Sequence, residues 1–144
     1  MNIIKKLAIR KFIKEINPEI KVKFQKWDME CDVYEDTVYV GETFDKRTDK
    51  YFMDFVYSID PECCGSVMMM SLLHEIGHIY TYDEDLSDEK DVLYEVLKLS
   101  YTDEQLEEYD KMYFNIPFEK EATIWGIRFA QMNKEIVKKY SKWI

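Results

Sequence analysis

Histidine is almost missing from this chain. The 144 residues hold two, at positions 74 and 78, so any site built from three imidazoles is excluded. Cysteine is scarce as well. Cys31, Cys63 and Cys64 are odd in number and irregularly spaced, which excludes the disulfide framework of a small secreted domain. Four Gly and three Pro leave no room for long flexible linkers. No window approaches the roughly eighteen apolar residues of a membrane-spanning helix. The opening MNIIKKLAIRKFIKEI is broken by charges and lacks a small-residue cleavage site, so it does not read as a signal peptide. A reducing cytoplasm is the expected location.

Basic side chains are few in the middle of the chain. Residues 27–127 carry seven against 26 acidic ones, a net −19, while residues 1–26 carry +6 and residues 128–144 carry +4. The acidic middle would repel a phosphate backbone, which argues against nucleic acid as a partner. Acidic faces of this kind first of all keep a protein soluble, and they can also steer a basic protein or peptide toward a site there.

The remaining composition is that of one soluble globular domain spanning residues 1–144, with 47% apolar and 34% charged residues. Residues 3–16 place apolar side chains mostly at helical spacing with lysines between them. That pattern fits a packed N-terminal helix with solvated lysines better than a helix lying on a membrane, and Asn17-Pro18 ends it. Three strand-like runs follow, at 20–24, 37–40 and 51–58. Asp60-Pro61-Glu62 reads as a helix start, and helices are expected near 62–81, 87–99, 103–113 and 117–141. The expected class is α+β: an N-terminal helix, a small three-stranded sheet and a helical C-terminal half.

Within the run SLLHEIGHIY, both histidines fall in His74-Glu75-Ile76-Gly77-His78. Residues four apart lie on one helix face, so both imidazoles can approach one zinc ion. Glu75 follows the first histidine and can take a proton from water activated by that zinc. At this chain's own residue frequencies such a motif arises by chance on the order of a few times per thousand sequences. A catalytic zinc takes three protein ligands. With no further histidine, the third must be a carboxylate or, less readily, a thiolate. On the segment starting at Phe118, the apolar residues Phe118, Ala122, Trp125, Phe129, Met132 and Ile136 define one stripe, in which Ala122 would let a neighbouring helix approach closely. At 100° per residue Glu121 lies about 60° from its centre and Glu119 about 100°. Glu121 is therefore the expected third ligand, with Glu119 and Glu84 as alternatives. Tyr80, Tyr82, Tyr101 and Tyr113 are candidates for stabilising a developing oxyanion. Cys63 and Cys64 are expected about three turns before His74 on the same helix, beyond reach of its metal.

The HExxH sequence, followed by Glu119-Lys120-Glu121-Ala122 and then Trp125-Gly126, resembles the ImmA/IrrE-type metallopeptidases. The Glu-Ala pair is also similar to the third-ligand helix of thermolysin-like enzymes. The resemblance implies a zincin-like fold in which His74, His78 and Glu121 hold Zn2+ and Glu75 is the catalytic base. It implies a cytoplasmic metalloendopeptidase acting on an intracellular protein, often a DNA-bound repressor, and often encoded by a mobile element. It also implies a strand beside the cleft, here residues 51–58, to which a peptide adds by backbone pairing. The alternative is a catalytically silent protein of the same fold that acts by stoichiometric contact.

Overall fold

The computed structural model describes residues 1–42 and 45–144. Helix α1 (Ile3–Ile16) starts where the Asn2 side chain accepts a hydrogen bond from the Lys5 amide, and it buries Ala8, Ile9, Phe12 and Ile13. Strands β1 (Lys21–Gln25), β2 (Glu30–Asp32) and β3 (Thr37–Gly41) form a mixed sheet in the order β1-β3-β2. β1 runs parallel to β3 with Val22 opposite Val38; β2 runs antiparallel with Cys31 opposite Val38. Val38 and Val40 of the central strand are fully buried. The expected α+β class is what the chain adopts.

The third strand is not the expected one. Residues 51–58 lie in helix α2 (Lys46–Ile59), and the Asp45 carboxylate caps it by accepting from the Arg47 amide at 2.9 Å. The aromatic and β-branched density of this run resembles a strand, but Phe52, Met53 and Val56 share one buried helical face. Lys50 also reaches Asp54 one turn on. The charged residues before Tyr51 form the first turn of this helix. The true third strand, β2, is three residues long and has no β-branched residue to announce it.

Asp60-Pro61 closes α2 instead of opening the next helix. Helix α3 (Val67–Thr81) begins later, where the Ser66 hydroxyl accepts from the Met69 amide. Cys63 and Cys64 therefore precede α3 and do not share its helix. Helix α4 (Glu84–Ser100) starts three residues before the expected 87 because Asp83 caps it. A short 3-10 turn, Asp103–Gln105, leads into α5 (Leu106–Tyr113). The expected 117–141 helix divides into α6 (Pro117–Met132) and α7 (Lys134–Tyr140), and the Asn133 side chain bonds back to the Phe129 carbonyl at the break.

α3 is the central element. Met69, Met70, Leu72, Leu73 and Ile76 are sealed in the core, and the helix packs along α6 and against β2 and β3. Small residues set its distance from α6. A Cβ on Gly77 would lie 2.3 Å from the Ala122 carbonyl oxygen, and one on Gly126 would lie 3.1 Å from Leu73. The two backbones nearly touch, and this brings side chains of one helix into the first turn of the other. Among the described residues, no helix is long and apolar enough to cross a membrane.

Candidate metal centre

His74 and His78 stand one turn apart on the α3 face that meets α6, and both are buried. Their rings lie 4.6 Å apart and almost perpendicular, at 79°. Each has an aromatic neighbour: Phe52 meets His74 edge-on at 5.6 Å, and Phe118 stacks on His78 at 4.7 Å. Glu119, only 3% exposed, projects from the first turn of α6 between the two rings.

The three ligand atoms form an equilateral triangle. His74 Nε2 to His78 Nε2, His74 Nε2 to Glu119 Oε2 and His78 Nε2 to Glu119 Oε2 are each 3.2 Å. A tetrahedral zinc at about 2.0–2.1 Å from each ligand holds those ligands about 3.3–3.4 Å apart. The triangle thus has nearly the edge a zinc ion requires, and among the described residues these three form the group able to hold a metal. Two nitrogens and one carboxylate oxygen also match the donor set of a catalytic zinc.

A hydroxyl group sets the orientation of His74. Thr123 donates to the Glu119 carbonyl at 3.0 Å, and its oxygen lies 2.9 Å from His74 Nδ1. A carbonyl only accepts, so the single hydroxyl proton is spent there and Nδ1–H must donate to Thr123. Nε2 is thereby the nitrogen that faces the triangle, and once its own proton is displaced it offers a lone pair to a metal.

The site's charges are strongly coupled. Burial would raise the Glu119 carboxyl, but hydrogen bonds from both histidines outweigh it and hold the group far below the usual carboxylate range. Burial would lower His74, yet the Glu119 hydrogen bond and the Glu75 charge raise it. His78 is lowered by its burial and by its neighbour His74. Burial pushes the Glu75 carboxyl up to about 8, with the Glu119 and Glu30 charges adding to the effect. The Tyr113 phenol is raised by burial and by the nearby Glu119 carboxylate.

Two hollows flank the triangle and share Met29, His74, Glu75 and Tyr113 as their common wall. One, of about 310 Å³, combines apolar Phe52 and Phe114 with the carboxylates of Asp28, Asp45 and Asp49. The other, of about 340 Å³, is bounded by Glu30 and Cys31 of β2, by Tyr34 and Tyr82, and by Lys90. Together they make a groove across the candidate centre.

His74, Glu75 and His78 are therefore gathered as the sequence predicts, but the carboxylate is Glu119. Glu121 is exposed on the far side of α6 and does not join them. Glu84 is exposed in the first turn of α4 and is likewise apart. The buried face of α6 is rotated from that stripe toward Glu119, with Ala122 common to both. Met132 is 84% exposed, while Glu119, Ala122, Thr123, Gly126, Ile127 and Ala130 are buried. Closely packed helices meet through small residues, and the spacing Ala122, Gly126, Ala130 was the signal that would have selected Glu119 and Thr123. Among the candidate tyrosines, Tyr113 faces the centre and Tyr82 borders the groove. Tyr80 stacks on Trp125, and Tyr101 caps α4. No family model, curated protein or solved structure matches this chain.

Proposed function

We propose that this chain is a zinc-dependent metallopeptidase of zincin-like fold that hydrolyses a peptide bond in a basic intracellular protein. The triangle of His74, His78 and Glu119, with its 3.2 Å edges, is the observation that carries the reading. Zinc held there would polarise a peptide carbonyl and lower the pKa of water toward about 7.

The chain's own groups supply the rest. Beside a divalent cation the Glu75 carboxyl ionises at neutral pH, so it can accept a proton from the attacking water and return it to the leaving nitrogen. The Tyr113 hydroxyl, on the wall shared by both hollows, is placed to donate to the carbonyl oxygen as charge builds there. β2 lies at the sheet edge and lends Glu30 and Cys31 to the groove, so it takes the role expected of residues 51–58: the strand on which a peptide is laid. The hollow with Asp28, Asp45 and Asp49 suits a Lys or Arg side chain, whose stem would rest on Phe52 and Phe114. A DNA-binding repressor, the substrate type of the ImmA/IrrE-like enzymes, has the matching basic character.

Cleavage of a quenched peptide pool containing Lys and Arg tests this. The zinc-loaded protein should cleave it, and Glu75→Gln should lose at least about 100-fold in rate while keeping its zinc. Equal rates in parent and variant would remove Glu75 from the chemistry.

A further inference from the structure

Helix α4 buries Leu97 and half-buries Leu93 and Tyr94, facing α5 and α6. Its opposite face is unusual for a solvated helix. Val92 is 64% exposed, Val96 50% and Leu99 89%. At 100° per residue these three fall within about 60° of one another, the i, i+4, i+7 pattern of a helix that inserts anchors into a groove. Exposed Asp88, Glu89 and Glu95 flank the stripe.

Elsewhere the molecule carries a surface of complementary character. α1 packs beside α7, with Phe12 edge-on to Tyr140 and the Tyr140 hydroxyl bonded to Glu15 at 2.7 Å. Between them runs a groove of about 400 Å³ walled by Ile4, Leu7, Ala8, Tyr140 and Trp143. Ile4, Leu7 and Trp143 stand exposed along it. Lys11 and Lys139 line its margin, and Lys14, Lys138 and Lys142 are exposed on the same two segments. The acidic apolar helix and the basic apolar groove thus match in both hydrophobicity and sign.

We infer that the chain associates with itself head to tail, α4 of one copy lying in the α1/α7 groove of the next. The contact is heterologous, because the two surfaces differ, so a joined pair still offers one free groove and one free helix to further copies. One helix in one groove falls at the small end of specific interfaces, below about 1,200 Å², so the association is weak and concentration-dependent. This inference is independent of the metal centre.

Sedimentation of the full chain between roughly 1 and 100 µM, where small interfaces of this kind assemble, is the test. The parent should show a mass that rises with concentration. Leu7→Glu, which spoils the groove, and Leu99→Glu, which spoils the helix, should each be monomeric. Both sites are exposed, and circular dichroism checks that each variant keeps its fold. Mixing the two variants should give a dimer and nothing larger, since only one intact groove and one intact helix remain to meet. A parent that stays monomeric throughout overturns the inference, including one that binds anionic vesicles through the basic groove. So does association lost in Leu7→Glu but intact in Leu99→Glu, which would mean that groove meets groove.

Discussion

As the proposed base, Glu75 faces two demands that conflict until a cation arrives. Its burial and its acidic neighbours hold the carboxyl at about 8, so it keeps its proton at pH 7. A base must be ionised, and a divalent cation beside it supplies the compensating charge. Zinc binding at pH 7 should therefore expel the Glu75 proton. Calorimetry in buffers of different ionisation enthalpy should find about one proton fewer released by Glu75→Gln than by the parent. The difference should shrink as pH rises above 8, where Glu75 has already lost its proton. Thr123 is the second residue whose role is set by its hydroxyl. Thr123→Val should weaken zinc binding by about 10–100-fold, and Thr123→Ser should restore it. At this scale the sequence was partly legible. His74, Glu75 and His78 follow from the spacing of an α-helix alone. Glu119 and Thr123 depend on which face of α6 meets α3, and the sequence displayed the large apolar residues more loudly than the small ones that decide the matter.

The pairing of α3 with α6 is what turns two motifs 41 residues apart into one site. Gly77 facing the Ala122 carbonyl is its narrowest point. Gly77→Ala would put a methyl group against backbone that cannot yield, an overpacking that costs about 1–3 kcal/mol or more. Thermal unfolding should fall by several degrees, on the order of 2–4 °C per kcal/mol for a chain of this size. Zinc affinity should fall with it, because the histidines and Glu119 sit on opposite sides of the widened seam. Gly126→Ala meets Leu73 at 3.1 Å and should be the milder of the two. Element types were legible where caps and periodicity agreed, as in α1, β1 and β3. They failed at α2, where aromatic density outweighs a helical spacing whose cap, Asp45, lies six residues before Tyr51. They failed also at β2, whose three residues owe their strand conformation to pairing with β3 and to nothing local.

For the molecule as a whole, the separation of charge visible in the sequence becomes a separation of surfaces. The basic segments α1 and α7 pack together, while acidic side chains from the α2 cap, α2 itself and the loop before β2 gather at one end of the groove. The sequence could show the imbalance but not which ends would meet. A cation that binds only the folded chain also stabilises it. Free zinc at 100 times its dissociation constant should add about 2.7 kcal/mol. The melting temperature should rise accordingly, a chelator should reverse the rise, and His78→Ala should show none. The central claim is that Glu119, and not Glu121, completes the site with the two histidines, and a calorimetric zinc titration of the metal-free protein tests it directly. The parent and Glu121→Ala should each bind one zinc per chain with equal affinity, and Glu119→Ala should bind at least about 100-fold more weakly. Zinc binding untouched by Glu119→Ala, or none in the parent, would contradict the account.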